Sequence, residues 1–82
     1  MTEDIIKEKL NQYVLNAVYV EKEKIRNDSL LFREGYLDSM GFILLITFLE
    51  EKFKIRINDN DLIEENFESI DTITSYLLRK LN

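Results

Sequence analysis

The sequence of 82 residues contains no cysteine and no histidine. Without cysteine the chain has no disulfide, no thiolate metal site and no cysteine nucleophile. Without histidine it lacks the side chain that most often carries acid–base catalysis near neutral pH. A glycine-rich phosphate-binding loop is missing too. The sequence therefore predicts a protein that is not itself an enzyme.

Proline is also absent, and glycine occurs only twice in a chain that is 45% hydrophobic and 33% charged. This composition can build a core and remain soluble, whereas a disordered tail would lack the apolar fraction. A chain of this length predicts a single domain, which we take to cover residues 1–82.

Long apolar runs and a basic start are missing as well. The longest apolar stretch, Phe42–Leu49, is too short to cross a bilayer. The start, Met1–Asp4, is acidic where a secretory signal would be basic. We therefore expect a cytoplasmic monomer that does not insert into membranes.

Positive charge is in deficit, because 16 acidic residues outnumber 11 basic ones and give a net charge of −5. An acidic domain is poorly suited to bind phosphate backbones, so nucleic acid is not an expected partner. The sign of the charge favours protein partners with basic patches.

The hydrophobic pattern predicts a first helix that begins after Thr2. Its apolar stripe consists of Ile6, Leu10, either Tyr13 or Val14, and Ala17, and it fades near Tyr19–Val20. Residues 21–38 have no sustained period and predict a long loop. The apolar cluster Leu30–Phe32 should pin this loop to the core, and Gly35 marks a turn.

A second helix is predicted from Ser39 to Phe53, with either Asp38 or Ser39 as its N-cap. The helix is apolar on most sides, which is typical of a central core helix or of one that keeps an apolar strip for a partner. The broad apolar face comprises Ile43, Leu45, Ile46, Leu49 and Phe53, and it is extended by Leu44 and Phe48.

Alternation in Lys54–Ile57 predicts an extended connector or a short strand. A short third helix is expected to carry Leu62 and Ile63, followed by Phe67 as a loop anchor. Ser69 is the predicted cap of a fourth helix, whose apolar residues are Ile73, Tyr76 or Leu77, and Leu81. The predicted fold is all-α, an antiparallel four-helix bundle of three longer helices and one short helix.

The segment Gly35–Ile43, which reads Gly-Tyr-Leu-Asp-Ser-Met-Gly-Phe-Ile, resembles the modification site of acyl carrier proteins. That family carries Asp-Ser-Leu or Asp-Ser-Met after a glycine-containing turn, directly before its second helix. The resemblance covers most of the chain. Phe32 precedes the site at the spacing usual in the family, Leu49–Ile55 is similar to the end of its second helix, and Asn66–Ile73 is similar to the entry to its last helix.

The resemblance implies that a phosphopantetheinyl transferase moves 4′-phosphopantetheine from coenzyme A onto the Ser39 hydroxyl, with Asp38 in a supporting role. It implies further partners, namely acyl- or aminoacyl-loading ligases and acyltransferase or synthase enzymes. The thiol of the arm would hold the cargo as a thioester, so a chain without cysteine can still take part in thioester chemistry. The phosphodiester would lie at a helix N-terminus, which favours anions.

Other interpretations remain open. Ser39 can be an ordinary N-cap, and the apolar second helix can belong to an unmodified helical interaction module. The acidic run Asp59–Asp61 with Glu64 and Glu65 lacks the glycine and the spacing of a calcium loop, so no metal site is predicted. The remaining paired carboxylates are interpreted as surface charge or as contacts for basic partners.

The first turns of the second helix depart from many fatty-acid carriers, because they hold no acidic residue before Glu50. We therefore expect an apolar partner face of Met40, Leu44 and Thr47, with acidity displaced to Glu50 and Glu51. The bulky Phe42 and Phe48 should fill the space that shelters an acyl chain. Together with the likeness of Asp38–Gly41 to D-alanyl carrier proteins, this favours a specialised pathway, with fatty acid, polyketide, lipid and aminoacyl cargo all open.

Overall fold

A computed structural model describes residues 2–17 and 25–81. The elements, in chain order, are α1 (Glu3–Ala17), α2 (Ser39–Phe53), a 3₁₀ turn (Asp59–Asp61), α3 (Glu64–Phe67) and α4 (Ile70–Leu81). Within these ranges there is no strand. The predicted all-α fold of three longer helices and one short helix is therefore confirmed. The predicted fading of the first stripe at Tyr19–Val20 lies outside the described residues.

Helix α1 begins after Thr2, whose hydroxyl accepts a hydrogen bond from the N–H of Ile5 at 3.3 Å. Of the two candidates for the third position of its stripe, Val14 is completely buried. Tyr13 lies at the edge of the core, where its ring stacks on Phe48 with centroids 4.1 Å apart. Val14 therefore continues the buried stripe of α1, and Tyr13 contacts α2 instead.

The long loop is held to the rest of the molecule by backbone hydrogen bonds. Leu31, which is completely buried, donates its N–H to the carbonyl of Glu68 at 2.8 Å. Asn27 accepts a bond from the N–H of Asp71 at 2.9 Å. The predicted apolar pin is therefore confirmed. Gly35 forms the expected turn, with a positive φ of 81° that other residues rarely adopt.

Helix α2 has the predicted bounds, and the connector after it contains no strand. Lys54 adopts the left-handed conformation, and the N–H of Ile55 donates to the carbonyl of Glu50 at 3.2 Å. These features end the helix in the way that C-terminal caps usually do. None of the described helices is long and apolar enough to span a bilayer.

The third helix was predicted at the wrong residues. Leu62 and Ile63 lie between the 3₁₀ turn and α3, where they are 38% and 47% exposed. Phe67 is the last residue of α3 and is completely buried. The 3₁₀ turn is held in place by Asp61, whose carboxylate accepts a bond from the Tyr76 hydroxyl at 2.9 Å, and the chain then runs extended at Ile63 before the helix starts.

Helix α4 starts after Ser69, as predicted. The Ser69 hydroxyl accepts from the N–H of Thr72 at 3.1 Å, and the Thr72 hydroxyl accepts from the N–H of Ser69 at 3.0 Å. Such a reciprocal pair satisfies two N–H groups that a helix start leaves open. Both Tyr76 and Leu77 are buried, so each of the two alternatives belongs to the core.

Candidate functional site

The start of α2 is capped by Asp38 and not by Ser39. The Asp38 carboxylate accepts a hydrogen bond from the N–H of Gly41 at 2.8 Å, and Asp38 has the extended backbone of an N-cap. Ser39 is the first residue inside the helix. Of the two cap candidates, Asp38 is therefore the one that closes the helix, and Ser39 is not needed for this task.

The Ser39 side chain is exposed. Among the described residues, neither its hydroxyl nor the N–H groups of Ser39 and Met40 take part in a hydrogen bond. Open N–H groups and the dipole of a 15-residue helix create positive potential at this end. A negatively charged group joined to the Ser39 oxygen would be stabilised there.

An open apolar groove of about 800 Å³ lies on one side of Ser39, between the start of α2 and the segment around α3. The ring of Phe42 packs edge-on against Phe32 and Phe67, with centroids 5.5 Å and 5.8 Å apart. These three rings fill the inner side of the groove. Its lining residues are Phe32, Gly35, Leu37, Asp38, Ser39, Phe42, Ile43, Leu62, Ile63, Glu64 and Phe67.

A second groove of about 360 Å³ lies between the end of α1 and the start of α2. Met40 and Leu44 form part of it and are 62% and 54% exposed. Five of the six large hydrophobic residues that are exposed in the described chain line one of the two grooves: Met40, Ile43, Leu44, Leu62 and Ile63. Exposed apolar surface is thus concentrated around Ser39.

Ile43 was assigned to the broad apolar face of the second helix, which could belong either to the core or to a strip kept for a partner. Its side chain is 58% exposed. Ile43, Leu62 and Ile63 were not predicted to belong to the apolar surface beside Ser39. A signal for Ile43 was present, since residues four apart in a helix share a face and Ile43 lies four residues after Ser39.

The three apolar or neutral residues of the predicted partner face lie together. Met40, Leu44 and Thr47 have the i, i+4 and i+7 spacing of one helix face, and all three are exposed. The Thr47 hydroxyl donates to the carbonyl of Ile43 at 3.1 Å, so its methyl group is what remains to contact a partner.

The two acids of the predicted face have different environments. Glu50 is half-buried, and its carboxylate accepts a hydrogen bond from the N–H of Ile57 at 3.0 Å. Glu51 is exposed. Glu50 therefore fixes the connector after α2, while Glu51 is the acid that is free to face solvent.

Replacement of Glu50 by alanine should lower the free energy of unfolding by about 1–2 kcal/mol, because it removes a charge-assisted bond and leaves the N–H of Ile57 without its partner. Glu51→Ala is the matched control and should change stability by less than about 0.5 kcal/mol. Urea unfolding followed by circular dichroism measures both. Equal effects of the two substitutions would contradict the structural role of Glu50.

The other acidic residues serve local contacts. Glu64 forms a double hydrogen bond with the Arg33 guanidinium, at 3.3 Å and 3.2 Å, and this bond lowers the pKa of Glu64. Burial, and then the hydrogen bond to Asp61, raise the pKa of Tyr76 to about 12. No group of three or more potential metal-ligating side chains is found in residues 2–17 and 25–81.

Comparison with known proteins gives consistent matches. Residues 8–77 match the family model described as the phosphopantetheine attachment site. The chain is 30% identical over 80 residues to an acyl carrier protein of Chlorobium phaeobacteroides, covering 98% of this chain and 100% of that protein. It is 32% identical over 77 residues to an acyl carrier protein of Buchnera aphidicola subsp. Acyrthosiphon pisum, covering 92% and 96%.

Proposed function

Because the chain belongs to the acyl carrier protein family, whose domain is the attachment site for 4′-phosphopantetheine, we propose that Ser39 carries this group. The protein is a carrier and not a catalyst. The proposal assigns residues 1–82 to one carrier domain that holds acyl or aminoacyl groups as thioesters and passes them to partner enzymes.

The observation that carries the assignment is the distribution of serine hydroxyls. Of the four serines, Ser29 and Ser69 are buried, at 6% and 3% exposure. Ser75 is exposed but lies in the middle of α4. Only Ser39 combines an exposed hydroxyl with the N-terminus of a long helix, where backbone N–H groups favour an attached phosphate.

The residues present fit the proposed group. The N–H groups of Ser39 and Met40 would face the phosphodiester, and Asp38 would support the site by holding the first turn closed through Gly41. The arm supplies a thiol, which this chain lacks, and the thiol forms the thioester with the cargo. The Mg²⁺ and the base for the transfer belong to the transferase.

Members of this family interact with phosphopantetheinyl transferases and acyl-handling enzymes. The proposed partner face comprises Met40, Leu44 and Thr47, with Glu51 at its acidic end. We extend it to Ile43, which is exposed beside Ser39, and restrict Glu50 to a structural role. An apolar patch on an acidic chain fits partners whose binding site is apolar with a basic rim.

The proposed cargo is short, and the proposed pathway is specialised. The contacts of Phe42 with Phe32 and Phe67 support this, because these rings occupy the inner side of the groove beside Ser39. Phe48 is likewise engaged by Tyr13. A structure of the loaded protein with a long acyl chain buried between α2 and α4 would contradict a short cargo.

Intact mass spectrometry tests the attachment. The purified chain is incubated with a broad-specificity phosphopantetheinyl transferase, coenzyme A and Mg²⁺, and should gain the mass of one phosphopantetheine. After trypsin digestion the added mass should lie on residues 34–52, whose only serine is Ser39. No gain with several transferases would refute the proposal and favour an unmodified helical interaction module.

The partner face is tested by Leu44→Glu, which places a charge on the exposed apolar strip. It should raise the KM of the transferase for the carrier at least about tenfold, since tenfold corresponds to about 1.4 kcal/mol of binding and central contacts often exceed this. Ile5→Glu is the matched control, because Ile5 is exposed to 44% on α1 and lines neither groove beside Ser39. Equal KM values for the two variants would exclude Leu44 from the face.

A further inference from the structure

The chain just before Ser39 is fixed to the core through Leu37. Leu37 is 7% exposed and donates its N–H to the carbonyl of Leu31 at 2.9 Å. Leu31 is completely buried and is itself bonded to Glu68. The position of Leu37 is therefore tied to the loop and, through Leu31, to the residues that precede α4.

The chain just after Ser39 approaches Leu37 closely at Gly41. A Cβ atom added to Gly41 would lie 3.2 Å from Leu37 Cδ2 and 3.3 Å from Leu37 Cβ. It would also lie 3.4 Å from the Asp38 carboxylate oxygen that Gly41 binds. Favourable contacts between carbon atoms begin at about 3.5 Å, so a side chain here would press against Leu37, whereas its contact with the Asp38 oxygen would be an ordinary one.

Glycine inside a helix is normally destabilising relative to alanine. Gly41 is the third residue of α2 and has a negative φ, so the helix conformation does not require glycine. The close approach of Leu37 is the feature that favours glycine, because a Cβ at position 41 would force Leu37 to move by a few tenths of an ångström. Ser39 lies between these fixed neighbours, and among the described residues its side chain makes no hydrogen bond of its own.

We propose that Gly41 is a positioning residue for Ser39. Because position 41 has no side chain, Leu37 can lie against the first turn of α2 while Asp38 caps that turn. This packing sets the direction in which the Ser39 hydroxyl meets the transferase. The inference rests on the proposed attachment at Ser39. A methyl group at position 41 pushes on the Cβ of Leu37, which the backbone bond to Leu31 holds in place, and so displaces the turn that carries Ser39.

The test is the transferase reaction of the Gly41→Ala variant. A misplacement of a reacting group by about 1 Å can cost about 100-fold, so a shift of a few tenths of an ångström should lower kcat about tenfold while KM changes less than about twofold. A lower kcat at a nearly unchanged KM differs from the result expected for a docking residue such as Leu44, whose replacement should raise KM. Ile73→Val in α4 is the control, because it removes one methyl group from the buried core, lowers stability modestly and should leave kcat unchanged.

A second measurement reports on the first turn of α2 independently of the transferase reaction. Amide hydrogen exchange at residues 38–42 should become about tenfold faster in the Gly41→Ala variant, because the bond from residue 41 to Asp38 is weakened, and not in Ile73→Val. A wild-type kcat for Gly41→Ala, or an equal loss in both variants, would overturn the role of Gly41 alone. A wild-type chain that gains no phosphopantetheine would refute the proposed function, and the positioning role with it.

Discussion

Replacement of Ser39 by alanine should abolish the gain of phosphopantetheine completely, while the free energy of unfolding stays within about 0.5 kcal/mol of that of the unmodified protein. The modification is lost because the transfer needs the hydroxyl oxygen as the nucleophile. Stability is kept because the hydroxyl is exposed and the helix is capped by Asp38. Alanine is also a good helix former at the first helical position.

Asp38→Ala is the matched variant one residue earlier, and its effects should be the reverse. It leaves the N–H of Gly41 without a partner and should cost about 1–2 kcal/mol, as the loss of an N-cap does. The Ser39 hydroxyl remains, so a gain in mass is still expected. Urea unfolding and intact mass, measured on both proteins, separate the chemical role from the capping role. A mass gain in Ser39→Ala would move the attachment elsewhere, with the exposed Ser75 as the first candidate.

The bounds of α2 could be predicted from the sequence because two local signals agree there. Asp38 is a strong cap residue, and an apolar run follows it at once. The start of α4 was predicted for the same reason, since Ser69 is another cap residue. Where the chain offers such a cap, local chemistry alone fixes the helix start.

The third helix could not be predicted in this way. Several cap residues stand together before Leu62, and the sequence does not tell which of them starts a helix. The outcome depends on distant partners, namely Tyr76, which binds Asp61, and the core, which takes up Phe67. Partners fifteen residues apart in sequence leave no local pattern.

The proposed attachment at Ser39 comes from the sequence, whereas the surroundings of Ser39 could not be predicted. Ser39 and Asp38 are part of a motif that can be read directly. The exposure of Ile43 was not predicted, because α2 is apolar on most sides and only the four-residue spacing from Ser39 indicates that Ile43 lies on the side of the site. The bond of Glu50 to Ile57 and the contact of Gly41 with Leu37 are likewise set by how the chain folds back.

Phe67→Ala should produce the largest loss of stability of any substitution considered, about 3–5 kcal/mol. Small domains are stable by only about 5–15 kcal/mol, so the loss is a large part of the total. Phe67 is completely buried, and its ring contacts Phe42 at 5.8 Å and Tyr76 at 5.1 Å between centroids. A helix of four residues cannot form on its own, so α3 depends on this anchor.

The control for Phe67 is Phe48→Ala, because the Phe48 ring stacks on Tyr13 at the edge of the core and is only partly buried. Its loss should cost about half as much. Phe67→Leu keeps most of the volume and should cost less than about 1.5 kcal/mol, which provides a folded protein if Phe67→Ala does not fold. In Phe67→Leu, amide exchange should increase first in residues 62–67, because Phe67 joins this segment to the core and to the groove beside Ser39. A loss below about 1 kcal/mol in Phe67→Ala would mean that α3 is held by its polar bonds, those of Glu64 with Arg33 and of Asn66 with the Asp61 carbonyl, and not by its aromatic anchor.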